Sequence, residues 1–309
     1  MIDDGARSLR DFLAGSASDS YAWNAEVLAR VTNERTVIRY TVYDPHGRSE
    51  PATRRQFVGK FYADETGQKT FETMRAIGSA LSVGKPILAI PPAIYYDRRR
   101  RFLVQEFVQG TPFGDLLDRA EFADYFRLAG QALAVLHSQD LVEGKVKWIG
   151  DHVAELIRPD PAELYRRYPE YRERIEVLLD RLQTREAEFG GSIETSPLHR
   201  DFHLRQLFHG NRRVWVVDWD TFARGDPAFD VAYFVVYLKT HLQAMQCSAA
   251  ADAFLNGYFA TRPRSILERT PMYEAFNYLR RACRRFRLRD HRWEEQMRRM
   301  LARIERLPF

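Results

Sequence analysis

The sequence predicts an α+β fold of two lobes. A small N-terminal antiparallel β-sheet lobe with one helix spans residues 1–108, and a larger, mainly helical lobe spans residues 109–309. Three observations lead there. Short strand-like runs bounded by turn residues cluster before residue 108. Apolar residues recur at helical spacing through most of the remainder. Between helical stretches lies a loop with an isolated acid, Asp201, followed by a hairpin with a second acid, Asp218, at its far end. At 309 residues the chain has length enough for two packed lobes with a core.

In the first lobe, Ala25–Val31 and Thr36–Tyr43 form a predicted strand pair around the turn Thr32-Asn33-Glu34-Arg35, and Gln56–Tyr62 is a third strand. Side chains alternate faces along a strand, so Val58, Lys60 and Tyr62 share one side. A helix over 70–81 follows from the spacing of Phe71, Met74, Ile77 and Leu81. Two further strands, Ala93–Tyr96 and Arg101–Phe107, are split by the turn at Asp97-Arg98-Arg99-Arg100. The segment Gln105–Gly110 ends the lobe. In the second lobe, Phe126, Ala129, Leu133 and Leu136 mark a helix over 122–137, and Tyr171, Ile175, Leu178 and Leu182 mark another after Pro169. Helices are also expected over 231–243 and 249–258, with a last one carrying Trp293, Met297, Met300, Leu301 and Ile304 on one face.

The run His199-Arg200-Asp201-Phe202-His203-Leu204-Arg205-Gln206 leads into Leu207-Phe208-His209, the hairpin signal Gly210-Asn211, and the strand Val214–Val217 ending at Asp218. His-Arg-Asp, an amide five residues after the acid, and an acid closing a hydrophobic strand resemble the protein-kinase signature, with Gln206 where that pattern has Asn. Phosphoryl transfer depends mainly on positioning and charge neutralisation. In that chemistry Asp201 accepts or orients the proton of an attacking hydroxyl, Asp218 holds Mg²⁺, and the Gln206 carbonyl adds a hard oxygen ligand, with Asp220 or water as the alternative.

The continuation Val217-Asp218-Trp219 and Gly225-Asp226-Pro227 through Asp230-Val231-Ala232, with His203 as the second histidine of the loop, resembles the aminoglycoside phosphotransferase and choline kinase family, of protein-kinase-like fold. The resemblance implies an ATP- or GTP-dependent small-molecule O-phosphotransferase. It makes Asp201 the catalytic residue, flanked by His199 and His203, and Asp218 and Gln206 the Mg²⁺ ligands. Lys60 reaches the nucleotide phosphates, with Glu72 as its expected partner and Glu65 second. Val58 roofs the adenine, and backbone groups near Glu106 and Val108 meet its edge. Asp230 is expected to cap a helix starting at Val231 and to brace the catalytic loop. Two other readings stay open: a nucleotide-binding pseudokinase scaffold, raised by Gln206, and a kinase of a protein or carrier-bound partner docked on the arginine-rich C-terminal region.

Bulk properties narrow the choice. No apolar run reaches spanning length, so no membrane helix is expected. The start Met-Ile-Asp-Asp-Gly-Ala-Arg lacks a signal-peptide core, and a cytoplasmic protein is expected. Cys247 and Cys283 read as free thiols. The net charge is +5, and arginines crowd the C-terminal part, among them Arg280, Arg281, Arg284, Arg285 and Arg292. A polycationic acceptor needs an acidic pocket, so a neutral or anionic hydroxyl acceptor is expected. No nucleic-acid module accompanies the basic stripe, and no nucleic-acid partner is expected.

Overall fold

The computed structural model describes residues 2–13, 22–31, 35–44, 53–82, 86–141 and 143–309. The chain forms two compact units, one from Met1–Thr111 with Phe208–Asp220, the other from Pro112–Leu207 with Thr221–Phe309. The hairpin segment Phe208–Asp220 thus joins the first unit, whereas the division expected at 108/109 left it with the second.

The first unit begins with α1 (Ile2–Leu13), β1 (Ala22–Val31), β2 (Arg35–Asp44) and β3 (Thr53–Tyr62). Then come α2 (Thr66–Ala80), β4 (Leu88–Ala89), β5 (Ala93–Asp97), β6 (Phe102–Glu106) and β7 (Thr111–Pro112). The main sheet is antiparallel in the order β1-β2-β3-β6-β5. Its register decides which residues share a face. Tyr62 pairs with Arg35, Lys60 with Val37 and Leu103, and Val58 with Arg39 and Gln105. Phe57, Phe61, Ile38, Tyr40, Val42, Phe102 and Val104 therefore fall on the opposite face, where they form a buried core with Leu9 of α1. One side of the sheet is hydrophobic and the other presents Lys60, Arg35 and Tyr62. The turn expected at 32–34 lies outside the described residues. The α2 helix starts four residues earlier than its apolar stripe suggests, because Asp64 accepts the Thr66 N–H (2.9 Å) and turns the chain into a helix there.

The second unit contains α3 (Phe122–His137), α4 (Ile149–Leu156), α5 (Pro161–Arg167), α6 (Arg172–Phe189) and β8 (Ser196–Leu198). Next along the chain are the hairpin strands β9 (Leu207–Gly210) and β10 (Arg213–Val216), then β11 (Ala223–Gly225), which pairs with β8. Asn211 and Arg212, the two residues between β9 and β10, both have positive φ (53° and 59°), as a type I′ hairpin turn requires. The β10 strand runs parallel to β4, in a sheet ordered β4-β10-β9-β7. The chain ends with α7 (Ala228–His241), α8 (Ala244–Tyr258), α9 (Thr270–Leu288) and α10 (Trp293–Ile304).

The α7 helix is buried without a break from Ala228 to Leu238, the pattern of a helix apolar all round and enclosed by neighbours. Phe126, Phe202 and Phe254 pack against its Phe234, and Phe276 packs against its Phe229. Cys247 and Cys283 are free, and burial pushes the Cys283 thiol up to about 12. Among the described residues, no helix is long and apolar enough to cross a membrane.

Candidate active site

Two groups of polar residues stand out, one in each unit. In the first unit, β10 runs out at Val216 and the chain turns sharply at Asp218, whose φ is +69°. That left-handed conformation is costly for a residue other than glycine and persists only where its surroundings enforce it. The Asp218 carboxylate accepts both amino nitrogens of Arg35 (2.9 and 2.7 Å) and the Lys60 ammonium (2.8 Å). Asp220 accepts Tyr62 Oη (2.8 Å), Lys60 (3.3 Å) and Arg35. Register makes this cluster possible, because Arg35, Lys60 and Tyr62 share one face of β2 and β3.

Lys60 is 5% exposed, and burial by itself disfavours its charge. The two carboxylates outweigh burial and hold the ammonium above its ordinary pKa. Arg35 is raised for the same reasons, while burial and Asp220 push Tyr62 well above the usual phenol value. Lys60 is therefore charged and Tyr62 neutral at physiological pH.

The pairing expected between Lys60 and Glu72 is not formed. Glu72 lies on the exposed face of α2, where it accepts from Gln68 one turn earlier (2.8 Å), and Glu65 pairs with Arg101. Val58 is buried beside Lys60's row. At the end of β6 the Glu106 side chain is exposed, its N–H donates to Pro92, and the Phe107 N–H donates to Gln56. Val108 is buried.

In the second unit, the loop after β8 is fixed from beneath by Asp230. Its buried carboxylate accepts the N–H groups of His199 (2.7 Å) and Arg200 (2.8 Å) and meets His137 at 3.3 Å. Arg200 has φ +64°, a strained turn that these two charge-assisted bonds hold in place. The bracing expected of Asp230 is present, but the capping is not. The helix begins at Ala228, three residues before the expected start at Val231, so Asp230 lies within it and Asp226 accepts the Ala228 N–H instead. Asp226 also takes a buried bidentate pair from Arg269 (2.6 and 3.0 Å).

Braced in this way, the loop presents Asp201, which accepts Tyr233 Oη (2.8 Å) and Arg280 (3.1 Å), with His203 Nε2 at 3.4 Å. His203 Nδ1 accepts the Arg205 N–H (3.2 Å), which leaves Nε2 as the nitrogen that faces Asp201 with its proton. His199 is fully buried, and its Nδ1 lies 3.3 Å from the Asp201 N–H. Burial alone raises the Asp201 pKa, but the His203 and Tyr233 hydrogen bonds and the Arg280 charge hold it well below the ordinary carboxylate value. Asp201 is thus an anion across the physiological range. Gln206 ends the short helical turn Leu204–Gln206, with its N–H on the His203 carbonyl (2.8 Å).

The model of a phosphotransferase enzyme family matches residues 48–267. The chain belongs to that family. This phosphotransferase is 26% identical over 217 residues to a LicA homolog from Metamycoplasma hominis, an alignment covering 66% of this chain and 78% of that one. Its fold is that of a choline/ethanolamine kinase family protein from Mesorhizobium loti (TM-score 0.61, 14% identity, covering 99% and 94% of the two chains). It is likewise the fold of an amicoumacin kinase solved with AMP-PNP, Ca²⁺ and Ami (TM-score 0.66, 13% identity, covering 91% and 87%).

Sequence reasoning named Asp201, Asp218, Lys60 and His203 but gave no role to Arg35, Tyr62 or Tyr233. Arg280 it treated only as one of a basic run. The alternation that found Lys60 also placed Tyr62 beside it, and strand pairing would have added Arg35.

Proposed function

We propose that this phosphotransferase moves the γ-phosphoryl group of ATP, or of GTP, to the hydroxyl of a small molecule in a Mg²⁺-dependent reaction with Asp201 as catalytic base. The observation that carries the proposal is the hold on Asp201. A carboxylate kept ionised by Tyr233, Arg280 and His203, on a loop anchored by Asp230, is suited to orient a hydroxyl and take its proton as it attacks. His203 fixes that carboxylate directly, and His199 is the buried neighbour that keeps the loop in shape.

Lys60 and Arg35 are the cations for the nucleotide phosphates, Arg35 through its planar fork. Val58 and the backbone at Glu106 and Val108 are assigned to the base. The known partners of the Glu106 and Phe107 N–H groups leave the Glu106 carbonyl and the Val108 N–H as the edge-reading groups. Because backbone atoms read the base, ATP and GTP both suit the site. Asp218 and Asp220 offer hard carboxylate oxygens, and Mg²⁺ is commonly held by one or two carboxylates with waters and phosphates completing its shell. That donor set fits the ion, with Gln206 as a further oxygen donor. No group of three or more His, Cys, Asp and Glu able to hold a metal occurs among the described residues. When bound, Mg²⁺ supplies charge neutralisation on the phosphates. The solved amicoumacin kinase, with AMP-PNP, Ca²⁺ and Ami, is consistent with nucleotide, divalent ion and small acceptor in one fold.

One observation favours a second reading. Arg35 and Lys60 both occupy Asp218, as expected of a nucleotide-binding scaffold that never loads metal. Thermal shift with ATP or GTP, with and without Mg²⁺, separates the two. Mg²⁺-dependent stabilisation is expected in the wild type and in Asp201→Asn, and its loss in Asp218→Ala. ADP formation in the presence of acceptor is expected to fall by roughly 10²–10⁴-fold in Asp201→Asn. Nucleotide binding indifferent to Mg²⁺ would favour the scaffold, and full turnover by Asp201→Asn would reject the catalytic assignment.

A further inference from the structure

The region beyond Asp201 is unusually poor in negative charge. From His203, which faces the catalytic carboxylate, a column of stacked rings runs through Tyr237 (centroids 4.7 Å apart, 15° between planes) to His241 (3.9 Å, 14°). His241 lines a cavity of about 430 Å³ together with Lys239, Arg285, Arg292, Arg299 and Arg303, and the single carboxylate in that wall is Glu295. Glu295 is taken by Arg299 (2.6 Å), Lys239 pairs with Glu274 (2.6 Å), and Arg285 pairs with Asp290. Among the described residues Arg303 donates to neutral oxygens, the Lys239 carbonyl and Tyr278 Oη.

Arg281 stands behind His241. It is 5% exposed, lies over the Tyr237 ring at 5.5 Å, and donates to His241 Nε2 (3.0 Å), while its buried Nε has no hydrogen-bond partner. His241 Nδ1 lies 2.8 Å from the Tyr237 carbonyl, so the ring carries its proton there and Nε2 is an acceptor. Burial and the Arg281 charge hold His241 down to about 4, so it stays neutral, and burial with Arg284 and Arg285 nearby lowers Arg281 to about 10. Among the described residues, Arg281 has no carboxylate partner. A buried guanidinium is ordinarily matched by an anion, and here the protein supplies none.

We propose that this cavity is an anion subsite for the acceptor: it takes a carboxylate or phosphate carried by the molecule whose hydroxyl faces Asp201. The stacked column links that carboxylate to the edge of the cavity ring by ring, and a ligand long enough to span three rings reaches both. The Arg280 guanidinium lies at the other end of the column, beside Asp201 and over the Tyr233 ring at 4.7 Å. A polycationic acceptor is disfavoured by the cations that outnumber Glu295 in the cavity wall. The inference rests on Asp201 being the catalytic base, but its test does not.

Full-length protein with isotope-labelled histidine is titrated with inorganic phosphate, D-gluconate and neutral sorbitol, followed by NMR, with the Mg²⁺–nucleotide thermal shift run in parallel. Phosphate and gluconate are expected to shift His241, gluconate also His203, and sorbitol neither. Arg281→Gln, which removes the buried charge behind His241, is expected to weaken both anions roughly tenfold, and Arg281→Lys to restore part of the affinity. Arg285→Gln, a partly exposed change, gives the same direction if Arg281→Gln fails to fold. No response of His241 to either anion, or equal affinity in both glutamine variants, overturns the subsite. Gluconate shifting His241 without His203, or failing to bind where phosphate binds, reassigns the cavity to free anions and overturns its link to the acceptor. A lost nucleotide shift with intact anion binding sinks the kinase reading alone.

Discussion

At Asp218, one carboxylate is shared by the Lys60 ammonium and the Arg35 fork. With Asp220, which meets the same two cations, the charges cancel, and each cation excludes a metal ion from the oxygens it covers. Removing Arg35 takes away one positive charge a few ångströms from the carboxylates proposed to hold the metal. Arg35→Ala is therefore expected to bind Mn²⁺ roughly fivefold more tightly in the absence of nucleotide, measured by titration calorimetry. Weaker binding would show that Arg35 organises the carboxylates for metal. Lys60 is more deeply buried, and Lys60→Ala leaves two carboxylates facing each other, with an expected stability loss of about 3 kcal/mol by urea unfolding. The sequence pointed to Lys60 because strand alternation is local. Its partner was not legible, because Asp218 lies 158 positions away and the phase of α2 turns Glu72 outward.

Among the elements, α3 and α8 approach more closely than side chains normally allow. A Cβ on Gly130 would lie 2.0 Å from the Phe254 carbonyl oxygen, and one on Gly257 2.1 Å from that of Arg127. Both obstacles are backbone, so the helices must separate to admit a methyl group. Gly257→Ala is expected to lower stability by roughly 1–3 kcal/mol, with little change in nucleotide affinity, since Lys60 and Asp218 belong to the other unit. An unchanged unfolding midpoint would show that the two helices slide apart without cost. Of the periodic helices, α3 was legible to the residue and α10 in its buried apolar face. The α4 and α5 helices were not, being eight and seven residues long, too short for a stripe to declare itself. In α9 the arginines drew attention from Met272, Tyr273, Phe276, Leu279 and Phe286, its buried apolar face. The hairpin was expected at Gly210-Asn211, yet the turn falls one residue later at Asn211-Arg212. The positive φ of an arginine there is set by the strand register on either side.

Across the whole molecule, histidines buried in neutral form link stability to pH. Burial lowers His137, takes His152 well below its ordinary value, and with Arg281 brings His241 from 6.5 to about 4. The unfolded chain binds more protons than the folded one across that interval, so stability rises with pH there and is lost on acidification from 6.5 toward about 4. Asp201, held below its ordinary value, stays ionised through the same window, and its stabilising contribution is lost only at still lower pH. Urea midpoints are expected to fall across this interval, and His241→Gln to flatten part of the slope. A flat profile would mean that these rings are protonated in the folded state.

The second unit also places Arg280 and Arg281 at consecutive positions of α9, one on Asp201 and the other on His241. A helix separates neighbouring residues by about 100°, so a one-residue insertion upstream in α9 would rotate the first guanidinium off the base and the second off its ring together. Base tuning and acceptor choice would then be inherited as a pair. Swapping acceptor preference between relatives calls for grafting residues 270–288 as a single cassette, because exchanging either arginine alone leaves its neighbour matched to the former molecule.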